Sequence, residues 1–219
     1  MIAQGSYDQN MPAALSSFLD DHHGEIEQED QRVFLYEKSW GEYLKLLEVR
    51  GERKRPRIYY LDGTIELMTT SRGHEGLKKM LARLVEAWAD EHDREFNGYG
   101  EFTMKRRAMK VGAEADECYF VDGRWRTEKF PELAIEVVWT RGGLRKLDIY
   151  ARLGVRELWL IGKALEIEVH VLRGKRYVRA ERSVIFPELD LSWLAGFMSN
   201  DSQTQAVRAL RRAMRAKKR

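Results

Sequence analysis

Two kinds of hydrophobic pattern run along this chain, and together they predict a mixed α/β domain. Residues 133–139 form an apolar run rich in β-branched side chains and interrupted only by Glu136, which is typical of a strand covered on both faces. Residues 73–92 place apolar side chains at helical spacing, which predicts a long amphipathic helix. Residues 144–153 predict a second helix, which ends at Gly154 where a helix C-cap is expected.

Turn and capping signals divide the rest of the chain into further elements. Ser39, with Glu42 three residues later, has the capping-box signature of a short helix. The Asp62-Gly63 pair between two apolar runs predicts a tight hairpin turn. This order predicts an α/β (α+β mixed) sheet with helices on both sides, in which the strand of Glu136 and the next strand are parallel. The additional strands are expected at residues 100–110, 117–121, 157–161, 166–172 and 176–180.

Composition separates the chain into three parts. Residues 1–30 are rich in acidic and polar side chains and poor in large apolar ones, which favours a disordered N-terminal arm. Residues 31–199 carry the strand and helix patterns of one folded domain. Residues 200–219 predict a basic C-terminal helix.

Cysteine usage and hydropathy indicate the compartment. The single cysteine, Cys118, cannot form an internal disulfide, and the N-terminus lacks the basic and apolar regions of a signal peptide. No apolar stretch approaches the roughly 18 to 20 residues that a membrane-spanning helix needs. We therefore expect a soluble, cytoplasmic protein without a membrane partner.

The positive charge of the chain is concentrated at its C-terminus. The formal net charge is +3, yet residues 205–219 contain seven basic residues and no acidic one, so the rest of the chain is net acidic. One interpretation is that these side chains contact the phosphates of a nucleic acid. The alternative is that Val207, Leu210 and Met214 pack the helix on the body or on a second subunit while the charges remain solvated. The candidates for phosphate contacts are Arg208, Arg211, Arg212 and Arg215.

The most informative residue is the carboxylate in the buried strand. An unpaired charge at Glu136 would cost several kcal/mol, and a bound metal cation is a strong compensator. Asp116 stands before another apolar run and Lys146 lies in the helix that follows Gly142-Gly143, so the three side chains could converge at one sheet edge. Each also has a structural alternative: Asp116 as a strand start, Glu136 paired with an arginine, and Lys146 as a solvated lysine.

Cleavage of a phosphodiester bond gives these residue types a chemical purpose. The reaction needs an activated water, neutralisation of charge on the phosphate and help for the leaving oxygen, and a divalent metal assists all three. Hard Mg²⁺ prefers oxygen ligands, which Asp116, Glu136 and the backbone carbonyl of Val137 could supply. Lys146 could then orient the attacking water or stabilise the transition state.

Three upstream residues are weaker candidates for the same site. His74 and Glu75 open the long helix, where a carboxylate is already favoured by the helix dipole. Glu66 in the hairpin could face the cleft or open water. Walker A, GxSxG, GxGxxG and HExxH motifs do not occur in the sequence, so no motif supports nucleotide binding, acyl transfer or metalloprotease chemistry.

An ordered series of motifs resembles the Uma-type endonuclease family of the PD-(D/E)xK restriction-endonuclease-like superfamily. The series begins with the Asp62-Gly63 hairpin and His74-Glu75, and the resemblance spans roughly residues 35–195. Its later members are Glu114 with Asp116, residues 131–137, residues 146–150 and residues 154–159.

The resemblance implies a core of a bent mixed sheet between helices and cleavage of DNA with Mg²⁺ or Mn²⁺ as cofactor. It makes Asp116 and Glu136 metal ligands and Lys146 the catalytic lysine, and it maps the acid of the first helix to Glu75, with Glu66 as rival. Two positions depart from the family pattern: Ala115 stands where proline is usual, and Val138 occupies the usual lysine position, so the lysine has to come from Lys146.

Two functional hypotheses follow. The first is a metal-dependent DNA endonuclease, for which a homodimer would suit the cutting of both strands. The second is an inactive module that has kept the nuclease fold and binds nucleic acid or protein, a reading that Val138 favours.

Overall fold

A computed structural model describes residues 29–217 and has a mixed α/β architecture. The predicted fold class is confirmed. The helices are α1 Trp40–Arg50, α2 Arg72–Glu91, α3 Lys146–Leu153, α4 Leu191–Ala195 and α5 Gln203–Lys217. The strands are β1 Gln31–Leu35, β2 Arg57–Leu61, β3 Thr64–Thr69, β4 Phe96–Gly100, β5 Thr103–Arg106, β6 Val111–Glu114, β7 Glu117–Val121, β8 Leu133–Val138, β9 Glu157–Gly162, β10 Ile167–Arg173 and β11 Arg176–Ala180.

The strands form two sheets. A five-stranded sheet has the order β1-β3-β2-β6-β5, and a six-stranded sheet has the order β11-β10-β9-β8-β7-β4. Neighbouring strands are antiparallel, except that β8 and β9 are parallel, as expected for strands joined through a crossover helix, here α3. The predicted parallel pair is therefore confirmed.

The six-stranded sheet has an apolar cluster on each face. Alternate side chains of β8, Leu133, Ile135 and Val137, face a cluster that includes α2 and α5. Ala134 faces the other cluster, which α3 shares with strands of the five-stranded sheet. Glu136 has the same parity as Ala134, so its carboxylate is directed into the space between the two sheets.

Local sequence signals account for the elements that hold the site. Ser39 and Glu42 form the predicted capping box of α1. Asp62 and Gly63 both have positive φ, as the tight hairpin turn requires. Gly154 caps α3 in the left-handed conformation, with φ of 86°.

Several boundaries differ from the prediction. The single strand expected at residues 100–110 is instead the last residue of β4, strand β5 and a 3₁₀ turn at Arg107–Met109, which ends at Lys110 in a left-handed conformation. Strand β1 is not among the elements that the sequence predicts. The predicted N-terminal arm lies outside the described residues except for Glu29 and Asp30, and the three-part division of the chain stays a prediction. Among residues 29–217, no helix is long and apolar enough to cross a membrane.

Candidate active site

Strand pairing brings Asp116 and Glu136 together. In the antiparallel register of β7 and β8, Glu117 lies opposite Ile135, and extending it by one position puts Asp116 opposite Glu136. Opposed residues of antiparallel strands project to the same face. The backbone N–H of Val137 donates to Asp116 Oδ2 at 2.7 Å, and both carboxylates are buried.

Helix α3 brings Lys146 to the same place. Its Nζ lies 3.5 Å from Glu136 Oε2 and 2.8 Å from the centre of the Tyr59 ring. One turn later, Tyr150 donates its hydroxyl to Glu136 Oε1. Asp116, Glu136 and Lys146, separated by up to 30 positions in the sequence, therefore form one buried cluster.

The electrostatics keep Lys146 charged. Burial lowers the pKa of Lys146, but the attraction of Glu136, followed by Tyr59 and Glu66, outweighs it, so the pKa lies above its ordinary value. The pKa of Tyr150 is well above its ordinary range because of burial and the neighbouring Glu136. Both groups hold their protons at neutral pH, so Lys146 can act as a cation and Tyr150 as a hydrogen-bond donor.

A buried arginine that the sequence analysis did not single out lies at the centre of the site. Arg57, in β2, is 1% exposed, and its guanidinium contacts Asp116. It also lies 3.2 Å from Glu75 and 3.6 Å from Glu101. Burial lowers the pKa of Arg57, but the surrounding groups, Tyr59 and Glu136 foremost, raise it above its ordinary value.

His74 links Asp116 to the start of the described chain. Its Nε2 lies 2.9 Å from Asp116 Oδ1 and its Nδ1 lies 3.0 Å from Asp30 Oδ2. Asp30 also accepts from the backbone N–H of Ser71 at 2.9 Å. Burial raises the pKa of Asp30, but the bonds from His74 and Ser71 more than reverse this, so the pKa is lowered. The chain Asp30–His74–Asp116 fixes the position of the Asp116 carboxylate.

The three remaining acidic candidates have different surroundings. Glu75 pairs with Lys78 at 2.7 Å and contacts Arg57, so it borders the site. Glu66 accepts from Arg32 and from the backbone N–H of Leu144, so it anchors the loop before α3. Glu114 accepts from Arg50 and from the N–H of Ile58, so it is tied to the neighbouring elements α1 and β2.

An open cleft reaches the cluster from outside. Its volume is about 420 Å³, and its walls include Glu136, Lys146 and the loop 140–145. Val138 is 39% exposed beside this cleft. Three arginines line the same cleft: Arg32, Arg141 and Arg145.

The oxygen atoms of the site are of the type that binds a hard cation, but one of the carboxylates already has a cationic partner. Asp116, Glu136 and the Val137 carbonyl offer the oxygen ligands that Mg²⁺ prefers. Within the described residues, however, no group of three or more His, Cys, Asp or Glu side chains has metal-binding geometry. Because the Arg57 guanidinium contacts Asp116, a cation there would have to replace Arg57 as the partner of this carboxylate.

Sequence reasoning missed Arg57 and Asp30 for identifiable reasons. Arg57 follows Arg53, Lys54 and Arg55, so it looks like part of a solvated basic run. Asp30 ends an acidic stretch without an apolar pattern. The signal that could have found Arg57 is its position as the first residue of a strand whose next three residues are apolar.

The basic C-terminal helix lies away from the cluster. Helix α5 packs on α2, with Ala206, Leu210 and Met214 buried. Arg211 lies 3.5 Å from Asp90, at the C-terminal end of α2. Because Asp90 follows Glu75 by fifteen helical residues, this contact is about 22 Å from the site along α2.

Comparison with known proteins identifies the family. Residues 40–197, well over half of the chain, match the family described as "Uma2: Putative restriction endonuclease". The chain belongs to this family. It is similar to a crystal structure described as "a putative nuclease belonging to DUF820" from Anabaena variabilis ATCC 29413, with 16% identity and a TM-score of 0.47 over 65% of this chain and 92% of that chain. No curated protein matches the chain. The Uma2 match includes every residue of the Asp116–Glu136–Lys146 cluster.

Proposed function

We propose that the protein is a metal-dependent endonuclease that hydrolyses DNA phosphodiester bonds. The observation that carries the proposal is the cluster of Asp116, Glu136 and Lys146, of which Glu136 and Lys146 line an open cleft. Two carboxylates and a lysine at one point are the groups that this reaction uses, and the chain belongs to a family described by endonuclease activity.

Asp116, Glu136 and the Val137 carbonyl would hold Mg²⁺ or Mn²⁺. When bound, such an ion supplies Lewis-acid stabilisation of phosphate charge and lowers the pKa of a bound water. His74 orients Asp116, and the Val137 N–H holds the second oxygen of the same carboxylate. Glu75 contacts Arg57, which in turn contacts Asp116, so Glu75 is an additional acid at the border of the site.

Lys146 would stabilise the negative charge that grows on the phosphate during attack. Its raised pKa keeps it a cation, which suits electrostatic stabilisation better than proton abstraction. Tyr150 keeps one oxygen of Glu136 engaged, which leaves the orientation of the carboxylate fixed. The cleft arginines Arg32, Arg141 and Arg145 would receive the flanking phosphates.

The test is nicking of supercoiled plasmid DNA with and without Mg²⁺ or Mn²⁺. We expect cleavage that needs the metal and that falls about 100-fold or more in Glu136→Gln and in Lys146→Met, in line with the loss of one key electrostatic group. Glutamine keeps the size of the side chain and an acceptor for Tyr150, so the fold should persist, as circular dichroism would verify. Glu166→Gln, at an exposed position in the turn between β9 and β10, is the matched control. Equal cleavage by Glu136→Gln would reject the site.

The rival is an inactive module with the nuclease fold, and one observation favours it. Asp116 already has Arg57 as a cationic partner and Glu136 already has Lys146, so the buried charges are balanced by the protein itself. Melting temperature against Mn²⁺ concentration separates the two functions. A nuclease should be stabilised by the ion in a manner that Glu136→Gln weakens, whereas an inactive module should show neither this stabilisation nor nicking.

A further inference from the structure

A second surface, at the C-terminal end of α3, concentrates positive charge in a concave groove. It has a volume of about 560 Å³ and is built from three separate segments: the turn after β5, the β7–β8 loop and the α3–β9 loop. We call it the basic groove. Its basic side chains are Lys105, Arg106, Arg107, Arg124, Lys129 and Arg156.

The charges of the basic groove are largely uncompensated. Both of its acidic residues, Glu128 and Glu132, face Arg124, at 3.9 Å and 3.6 Å. The other basic side chains form no ion pair with any residue in the range 29–217. Five exposed cations grouped on one concave surface create a positive potential that attracts an anionic partner.

The floor of the groove holds part of this charge in place. The Arg106 guanidinium lies 5.2 Å from the centre of the Phe130 ring and donates to the Arg152 carbonyl at 3.1 Å. Lys129 lies 5.7 Å from the same ring on the groove surface. Cations positioned over an aromatic ring lose less freedom on binding an anion than free surface lysines do.

The positive surface continues onto the β10–β11 hairpin. The backbone N–H of Leu172 donates to the Arg156 carbonyl at 2.9 Å, and the Tyr177 hydroxyl donates to the Val155 carbonyl at 2.7 Å. The exposed turn of this hairpin is therefore held beside Arg156, and it adds Arg173, Lys175 and Arg176. An elongated basic strip suits an extended polyanion rather than a single small anion.

The distance to the candidate active site fits the same partner. Lys146 begins α3 and Gly154 follows its end, so eight helical residues, about 12 Å, separate the site from the groove. Glu132 immediately precedes β8 and lies four positions before Glu136, which corresponds to about 13 Å of extended chain. One strand of duplex DNA has a phosphate about every 3.4 Å along the axis, so this interval corresponds to about three to four base pairs.

We infer that the basic groove binds the phosphate backbone of duplex DNA a few base pairs from the phosphate held at the Glu136 site. The inference rests on the proposed function for the meaning of that spacing. The contacts are to phosphates, so they give affinity and orientation without sequence recognition. The groove would align the duplex so that one strand enters the cleft of about 420 Å³ at Lys146.

The test compares two pairs of substitutions in the full chain carrying Glu136→Gln, so that binding is measured without cleavage. Arg107→Gln with Arg156→Gln removes two exposed groove charges, and Lys45→Gln with Lys79→Gln removes two exposed charges from α1 and α2. Fluorescence anisotropy of a short labelled DNA duplex is recorded between about 50 and 200 mM salt. We expect the groove pair to reduce the slope of log K against log salt by about 2, at about 0.9 for each lost phosphate contact, and the control pair to leave it unchanged.

Two results with the DNA duplex would overturn the inference: a salt slope that the groove pair leaves unchanged, or a slope that the control pair reduces by the same amount. A slope that the groove pair reduces for a single-stranded RNA of the same length but not for the DNA duplex would also overturn it. Plasmid nicking by the protein with Glu136 intact separates this inference from the proposed function. DNA binding that depends on the groove, without nicking, would support the inference about the groove and reject the proposed nuclease. Nicking with an unchanged salt slope in the groove pair would support the nuclease and reject the inference about the groove.

Discussion

At the scale of single residues, the candidate site consists of buried charges that depend on one another. Asp116 is held by Arg57, His74 and the Val137 N–H, and Glu136 is held by Lys146 and Tyr150. Removing one member of a buried pair leaves the other charge without compensation, which costs more than the pair contributes. Substitutions in this cluster should therefore be conservative in shape, and activity should always be read beside stability.

Glu75 gives the clearest prediction for pH. Burial raises the pKa of Glu75, but the combined effect of Lys78, Thr70 and Arg57 is larger and lowers the pKa to about 2, against an ordinary value of 4.5. A lowered folded pKa means that the stabilisation is complete above pH 4.5 and is lost as the pH falls towards 2. The shift corresponds to at most about 3 kcal/mol. Because the Glu75 side chain is 28% exposed, we expect solvent to reduce this to about 1–2 kcal/mol.

Urea unfolding of the wild type and Glu75→Gln from pH 7 down to pH 3 measures this term. The wild type should be the more stable protein at pH 7, and the difference should shrink steadily below about pH 4.5. A difference that stays constant over the whole range would show that Glu75 acts through packing and not through its charge. The exposed variant Glu48→Gln, at an i,i+3 ion pair on α1, is the matched control and should show almost no difference at any pH.

A residue of the site could be predicted from the sequence where a charged side chain interrupts a run that is expected to be buried. Glu136 stands out because an acid interrupts an apolar run, and strand pairing then brings Asp116 opposite it. Arg57 and Asp30 could not be found in this way because neither interrupts an apolar run, and their burial arises from contacts with residues 59 and 44 positions away, respectively. The metal-ligand roles of Asp116, Glu136, Val137 and Glu75 stay predictions.

At the scale of elements, two glycines of α2 offer a matched comparison. A Cβ at Gly73 would overlap the Trp139 ring, which lies in the loop after β8, whereas a Cβ at Gly76 would have no atom within 4 Å among the described residues. Gly73→Ala should therefore destabilise the protein by about 1–3 kcal/mol through overpacking. Gly76→Ala should stabilise it by up to about 1 kcal/mol through helix propensity.

Thermal and urea unfolding of the two variants tests the contact between α2 and the loop after β8. Because both substitutions add the same methyl group to the same helix, propensity alone would predict the same sign for both. Stabilisation by Gly73→Ala equal to that by Gly76→Ala would mean that Trp139 does not press against the helix. In the expected case, the start of α2, which carries His74 and Glu75, is held in position by this loop.

The elements with strong local signals were predicted well, and those defined by long-range pairing were not. The Asp62-Gly63 hairpin, α2, β8 and α3 each have a turn, a cap or a persistent periodicity of their own. Strand β1 has only alternating exposed and half-buried residues and exists because it pairs with β3. The division of the strands into two sheets also depends on pairing between β2 and β6, about fifty residues apart, which leaves no mark in a local pattern.

At the scale of the whole molecule, two basic surfaces lie outside the cleft at Glu136. The basic groove lies at one end of α3, and the arginines of α5 lie near the C-terminal end of α2. Arg211 and Arg215 form ion pairs with Asp90 and Glu91 there, so acidic side chains of α2 neutralise part of the positive charge of α5. Arg208 and Arg212 are exposed and form no ion pair within residues 29–217, which makes them the sharper test of the predicted nucleic-acid contacts.

Helix α5 should contribute to stability through its apolar face and to DNA binding, if at all, through those two arginines. Leu210 is fully buried against α2, so Leu210→Ala should cost about 2–5 kcal/mol. Arg208→Gln with Arg212→Gln should change the unfolding free energy by less than about 0.5 kcal/mol, because both side chains are solvated. Deletion of residues 205–219 would remove both contributions at once, so paired substitutions separate them where a truncation cannot.

In the anisotropy assay, contacts to phosphates predict a salt slope lower by about 2 for the arginine pair. An unchanged slope would reject the contacts and leave α5 as a helix that covers the apolar face of α2.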